Sequence, residues 1–458
     1  MARTGTFAAC LAWPLLLACG CGRPVGGLPP DPPPGCAQRV VFVVIDALRR
    51  DHLGVYGAER PISPNIDRLA REGLFLSNVT SSSSHTVPAM LTLVSSLLPS
   101  EHGIQYWSGT HSFTPDRENV FPRLADEITT VAEYFAAAGY YTAGIVANPW
   151  LSKAHGFAQG FAEYVEFTSR DGAHINREAE RILGQHPDER TFLYLHYLDV
   201  HNPYSGTSRG PLPFEIPEEG QLQYRNGPAP DLSPADLEKT RAHYDARIYY
   251  MDGHLGELMQ FAEGAGLNCD TTWVITSDHG DEFHEHGGLG HGTTLYNELV
   301  NVFAIFWNPH RFGVGRVDRG VHARDVLPTL LRGQDIPIPD VIGGVSLYTA
   351  PGHVPPPAPV TGLVSELADR KAISEGEWKL ILDLEDGTER LYRVGIDGAI
   401  EGRPETDPDT ELLARLRQQL DAVLHEPPRA RLTPIPIDSE TERRLRELGY
   451  LGDVEAAP

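Results

Sequence analysis

Between positions 276 and 292 the chain sets acidic and imidazole side chains among glycines: Asp278, His279, Asp281, Glu282, Glu285, His286 and His291. Mixed carboxylate and imidazole donors suit a divalent cation, and glycines let the backbone fold closely around one. A solvated polar loop is the competing reading. A second stretch, Ser84-His85-Thr86-Val87-Pro88-Ala89-Met90, leads into an apolar run over 91–98. A hydroxyl at a helix start sits among free backbone N–H groups, where a tetrahedral anion also binds. Thr86 is therefore a candidate nucleophile whose alkoxide a metal would stabilise, with a plain N-cap as the alternative. In a third stretch, 196–204, a strand end puts Asp199 and His201 on one side.

The surrounding pattern supplies elements to position these groups. Residues 40–45 form an apolar, mostly β-branched run, as in a strand buried on both faces. Further strands are expected near 142–146, 191–195, 272–276 and 301–307. Helices are expected from Ser63-Pro64 to Gly73, over 124–138, and from Ser233-Pro234 to about Gly264. Strands alternating with helices imply an α/β fold with a mostly parallel central sheet flanked by helices. Sites in such sheets lie beyond the carboxyl ends of the strands. Asp46, Asp199 and Asp278-His279 each follow a predicted strand, so three strands deliver carboxylates to one edge. Each Asp alone reads as a turn residue; the coincidence argues for a site. Past a Pro-rich linker at 351–359, short strands at 360–365, 371–373, 378–382 and 389–392 precede a helix capped by Asp407. They predict a small C-terminal antiparallel sheet with a covering helix. The Gly- and Pro-rich segment 205–227 reads as a loop able to cover the site.

Taken in order, Val44-Ile45-Asp46, Thr86-Val87-Pro88, the 196–204 segment, Ser277-Asp278-His279-Gly280 and His291-Gly292-Thr293-Thr294 resemble the sulfatases of the alkaline phosphatase superfamily. Lys379-Leu380, Leu391-Tyr392 and Leu448-Gly449-Tyr450 resemble the tail of bacterial members, and the resemblance spans 39–452. It implies an alkaline phosphatase-like fold, a catalytic domain over 39–350, a C-terminal subdomain over 360–452, and hydrolysis of phosphate or sulfate esters. The departures are specific. Sulfatases carry Cys or Ser in a C/S-x-P-x-R motif that matures to formylglycine; this chain has Thr86 and, in place of the Arg, Met90. Ala47 stands where a second Asp commonly follows the first, Asn148-Pro149-Trp150 where a Lys-x-His element falls, and His291 where a substrate-binding Lys often stands.

Asp46, Thr86, Asp278 and His279 instead resemble the metal set of Thr-using phosphodiesterases and phosphoethanolamine transferases. The resemblance thus implies zinc or manganese, with calcium, usual in formylglycine sulfatases, as the alternative. His291, with Asp199 or His201, is a candidate holder of a second ion. The implied chemistry is phosphodiester- or phosphonate-type hydrolysis through Thr86, with Asn148 and His201 contacting substrate and His201 or His291 aiding the leaving group. A sulfatase working without formylglycine, a phosphoethanolamine-type transferase and a non-catalytic binding protein are the rival readings.

Composition bounds the partners. The 458 residues carry a formal charge of −24, which argues against nucleic acid as a partner. Small-molecule, glycan or lipid-headgroup esters remain, because a local metal site can be positive inside an acidic protein. Residues 1–18 read as a signal peptide, ending Leu16-Leu17-Ala18-Cys19 in a lipobox-like sequence, with 19–38 as a flexible tether. The reading is an exported, periplasmic or cell-envelope protein held by a lipid on Cys19; an ordinary secretory signal is the alternative. A disulfide among Cys21, Cys36 and Cys269 is left open. Arg49 and Arg50 are read as solvent-facing, with anion contact as the alternative.

Overall fold

Seven consecutive buried residues make Arg39–Ile45 (β1) a strand that must be covered on both faces. The computed structural model describes residues 31–106, 108, 121–167, 169–204, 211–223, 226–348, 362–395, 398, 400–425, 427–430, 433–435 and 439–447. The leader with Cys19, the 351–359 linker, Leu448-Gly449-Tyr450 and parts of 205–227 lie outside them. The main sheet adds Leu74–Thr80 (β2), Tyr141–Val146 (β3), Glu163–Glu166 (β4), Thr191–Tyr197 (β5), Thr271–Ser277 (β6), Asn301–Trp307 (β7), Gly315–Val317 (β8) and Val321–His322 (β9). Its order is β8-β2-β7-β6-β1-β5-β3-β4, with β9 also paired to β2. Every neighbouring pair is parallel except those made by β7, which runs against β6 and β2. The fold is thus α/β with a mostly parallel mixed sheet, as expected from the alternation of strands and helices.

Two groups of helices pack on this sheet. Pro64–Glu72 (α1), Gly172–Gln185 (α4) and Pro234–Gly264 (α5) form one group, with α5 touching both others. Thr86–Ser95 (α2), Val131–Ala137 (α3) and Val326–Gly333 (α6) form the second, with α2 touching both others. The long α5 starts where its capping box dictates: Ser233 accepts from the Asp236 N–H while Asp236 reaches back to Ser233. The expected helix over 124–138 is confined to α3. Thr130 and Glu133 form a capping box there, and the apolar residues upstream pack as irregular chain. β2 and α4 have no counterpart in the sequence reading.

Leu363–Glu366 (β10), Arg370–Glu375 (β11), Trp378–Asp383 (β12) and Glu389–Arg393 (β13) form the antiparallel C-terminal sheet, in that order. Thr410–Leu424 (α7) covers it with Leu412, Leu416 and Leu420; its N-cap is Asp409 rather than the expected Asp407, and accepts from Glu411 and Leu412 N–H groups. The sheet is tied to the main body through polar contacts. The Glu366 N–H donates to Ser82 O at 2.7 Å, Ser365 Oγ to Ser81 O at 2.6 Å, and His322 Nε2 to Val364 O at 2.7 Å.

Lys379 of β12 is buried, pairs with Glu401 at 2.7 Å, and donates to Leu295 O and Asn297 Oδ1. Removing that ammonium would leave Glu401 as an uncompensated buried carboxylate. Lys379→Ala is accordingly expected to lower stability by about 3–5 kcal/mol in denaturant melts, whereas a surface Lys would cost far less.

Candidate active site

The strands end where the chemistry begins. β1 runs directly into Asp46, β6 into Asp278 and His279, and β2 into the serine-rich turn that places Thr86 as the first residue of α2. Thr86 is not the N-cap of that helix; His85 holds the cap position, and the Thr86 hydroxyl lies 3.1 Å from His279 Nε2. His279 Nε2 is in turn 3.4 Å from Asp278 Oδ2 and 3.9 Å from Asp46 Oδ1. The His279 ring lies 4.5 Å, centroid to centroid, from that of His291, which lies 4.8 Å from His201. All of these side chains are buried.

The backbone fixes this geometry. Asp278 Oδ1 accepts from the N–H groups of Ala47 and His279 at 3.1 and 2.8 Å, joining the two strand-end turns. Ser277 Oγ accepts from Leu48 N and donates to His279 O, a second clasp between the same turns. Gly280 is required by close approach: a Cβ there would stand 2.1 Å from Glu298 O.

Orientation of the imidazoles follows from their acceptors. His279 Nδ1 faces Gly280 O at 3.0 Å, and His201 Nδ1 faces Asn202 O at 2.6 Å. A carbonyl can only accept, so both Nδ1 atoms carry the proton and both Nε2 atoms present a lone pair. His291 Nδ1 is held at 2.6 Å by Asp281 Oδ1, whose other oxygen accepts from Tyr204 at 2.6 Å. A carboxylate behind an imidazole is the arrangement that orients a metal ligand or a proton donor.

The electrostatics are unbalanced. Burial, and then the neighbouring Asp278, push Asp46 up to about 7; burial pushes Asp278 up to about 7. Burial, and then His291, push His279 down to about 4. Burial opposes a charge on His291, but Asp281, helped by Asp46 and Asp278, more than offsets it and raises His291 from its ordinary value. His201 is driven the other way by burial and by His291.

Asp199 stands in a different cluster. The strand geometry expected to align it with His201 stops at Tyr197, and Asp199 Oδ1 accepts from Gly172 N at 3.1 Å, with Arg247 at 3.8 Å and His254 at 3.9 Å. Asn148 lies beside Asp46, donating to its Oδ2 at 2.8 Å while accepting from Trp150 N. Arg49 is buried rather than solvent-facing, because it pairs with Asp51 and Glu285 and donates to Asp281 O. Arg50 is partly buried and donates to the carbonyls of Ser77 and Gly398.

Asp281 belongs to the 276–292 cluster read from the sequence, and the structure adds its role as the partner of His291. One residue has no assigned role in the sequence. His196 sits within β5, where alternation gives no sign that its ring faces the Asp46 carboxylate at 3.5 Å.

The donor set fits a divalent cation. Asp46 Oδ1 and Asp278 Oδ2 are buried without a hydrogen-bond donor, and no Lys or Arg among the described residues pairs with either carboxylate. Two carboxylates and neutral imidazoles in one buried cluster need an outside positive charge. The cluster lies beyond the strand ends of a mostly parallel sheet, and its residues would hold a divalent cation there. A family model described as Sulfatase matches residues 38–333, more than half of the chain, and the chain belongs to that family, whose members hydrolyse esters.

Among its relatives, an arylsulfatase of Clostridium perfringens is 21% identical over 381 residues, covering 67% of this chain and 77% of the relative. The human N-acetylgalactosamine-6-sulfatase is 27% identical over 363 residues, covering 67% of each chain. The crystal structure of the phosphonate monoester hydrolase of Agrobacterium radiobacter superposes with a TM-score of 0.67 at 19% identity, covering 84% of this chain and 95% of that one; this likeness is one of fold.

Metal uptake requires ionised carboxylates and lone pairs on the imidazoles. Below about 7 protons compete for Asp46 and Asp278, whereas His279 becomes a competitor only near its lowered value of about 4. Apparent affinity, read by chelator competition, is expected to weaken at least roughly tenfold per pH unit below that point and to level off above it. A pH-independent affinity across the same window would contradict this charge arrangement.

Proposed function

We propose that this family member hydrolyses phosphodiester- or phosphonate-type esters, with Thr86 as the nucleophile. The observation that carries the reading is the Thr86 hydroxyl, 3.1 Å from His279 Nε2 and within the Asp46–Asp278 cluster. Threonine is not a precursor of formylglycine, and Met90 replaces the Arg of the maturation motif. Asp46, Asp278 and His279, with Thr86 itself, would hold the cation; zinc or manganese suits this mixed set better than calcium. When bound, it lowers the pKa of the Thr86 hydroxyl and neutralises charge on the ester oxygens.

The chain's own groups account for the rest. Thr86 Oγ1 attacks the central atom in line with the leaving group. Free N–H groups at the start of α2 steady the equatorial oxygens. Asn148, already turned to Asp46, positions that carboxylate. His291, drawn toward its protonated form by Asp281, gives a proton to the leaving oxygen, and His201 beside it, drawn toward its neutral form, takes one from the water that releases the Thr86 adduct. The opposed charge preferences of these two rings support that division of labour.

A cavity of about 390 Å³, lined in part by Asn226, Glu282, His286, Thr293 and Arg370, adjoins His291 along the chain and offers room for the non-reacting part of a small ester or glycan. Export to the cell envelope and lipid attachment at Cys19 are part of the proposal. The Cys36–Cys269 disulfide supports an oxidising compartment. Among the described residues no helix is long and apolar enough to cross a membrane.

Parallel assays with an aryl phosphodiester, an aryl phosphonate monoester and an aryl sulfate test the reading on the metal-loaded protein. Turnover of the phosphorus esters is expected to exceed that of the sulfate. Thr86→Ala is expected to lower kcat by about 10³-fold or more while keeping a cooperative melt. Dominant sulfate turnover would favour a sulfatase working without formylglycine, and a fully active Thr86→Ala would remove the nucleophile assignment.

A further inference from the structure

His196 opens the 196–204 stretch without a role of its own there, yet it is the side chain whose situation most needs an explanation. It is the penultimate residue of β5, paired across the sheet with Val44 of β1 and Val146 of β3, and it is fully buried. Neither ring nitrogen has a hydrogen-bond partner among the described residues. A core histidine ordinarily has at least its N–H satisfied, because a buried donor left unpaired costs about 1–3 kcal/mol. His196 has instead a direction. Its Nε2 stands 3.5 Å from Asp46 Oδ2, and one ligand atom each of Asp46, His196 and Asp278 lie within 4.8 Å of one another.

The neighbouring turn supplies the second half of the argument. Position 47, where a second acidic ligand would follow Asp46, is Ala47. Its φ is +59° and it contributes through its backbone: its N–H donates to Asp278 Oδ1, and its carbonyl accepts from Tyr244. The strand-end turn therefore offers one carboxylate where two would be expected, and an imidazole from the adjacent strand points at the same place.

We propose that His196 is a metal ligand that replaces the carboxylate missing at position 47, adding a second imidazole beside that of His279. This rests on the metal-dependent reading above and deepens it by naming the residue that moves the selectivity of the site further from calcium. Calcium takes six to eight oxygens, whereas imidazole suits zinc and its transition-metal neighbours. With His196 and His279 both neutral, the ionised Asp46 and Asp278 together balance one divalent charge, so exchanging a carboxylate for imidazole also lowers the net negative charge of the pocket.

The test uses the purified full chain stripped of metal, then titrated with zinc, cobalt or calcium. Affinity is read by chelator competition, ligand set by the visible absorption of bound cobalt, and selectivity by the thermal shift each ion produces. His196→Ala is expected to weaken zinc binding by at least about 100-fold, more than the loss of a residue that merely supports a ligand, and to alter the cobalt spectrum. His196→Asp is expected to bind but to move the balance toward calcium, giving a larger calcium-induced thermal shift than the wild type. His196→Gln keeps the bulk of the ring and decides the matter if the alanine variant has no cooperative melt. Wild-type zinc affinity and an unchanged cobalt spectrum in the folded variant would overturn the assignment. Asp46→Ala separates the two levels. If it abolishes binding while the His196 variants bind as wild type, only this inference falls. If the wild-type chain takes up none of the three ions, the metal-dependent reading falls and this one with it.

Discussion

Two carboxylates buried beside each other, with no Lys or Arg among the described residues to pair them, are the constraint on which the rest of this molecule depends. Such a pair is costly in a low-dielectric interior. It persists because the surrounding fold over-determines it. Asp46 and Asp278 leave neighbouring parallel strands at the same level, their turns are stitched by Ala47, Leu48, Ser277 and His279, and Asn148 donates to one of them from a third strand end. A site built in this way is organised for a positive charge before one arrives, so little rearrangement is needed to receive it.

The imidazoles around the pair divide by their hydrogen-bond partners. His279 and His201 spend their Nδ1 protons on backbone carbonyls, which fixes the direction of Nε2 at little electrostatic cost. His291 spends its proton on Asp281 and is drawn toward the charged form. Chemically similar rings thus acquire different roles from the atom behind each one, a distinction set by the turns that follow β5 and β6 rather than by residue type.

Much of this architecture is legible in the sequence, because the buried strands read as continuous β-branched runs and acidic residues follow them directly. Asp46, Asp278 and His279 are found at strand ends for that reason, and the capped start of α5 is visible in Ser233-Pro234-Ala235-Asp236. What is not legible has equally physical causes. Aligning Asp199 with His201 extends strand alternation past Tyr197, where β5 stops. The apolar spacing over 124–138 suggested one helix, but Thr130 offers a capping box that starts it later. His196 looks like any interior strand residue, since only the lateral pairing of β5 with β1 reveals what its ring faces. Arg49 reads as a surface cation until Asp51 and Glu285 are brought around it.

The C-terminal sheet has a bearing on when the site can exist during synthesis. Ser81 and Ser82, which lead into Thr86, are held by Ser365 and Glu366, and the segment after His291 is held by Lys379 and Glu401. A chain leaving the ribosome N-terminus first has made every acidic and imidazole group of the pocket long before it makes those braces. The unfinished polypeptide therefore carries the reagents without the vessel. The hydrolytic site is therefore completed only when the last strands have emerged and docked.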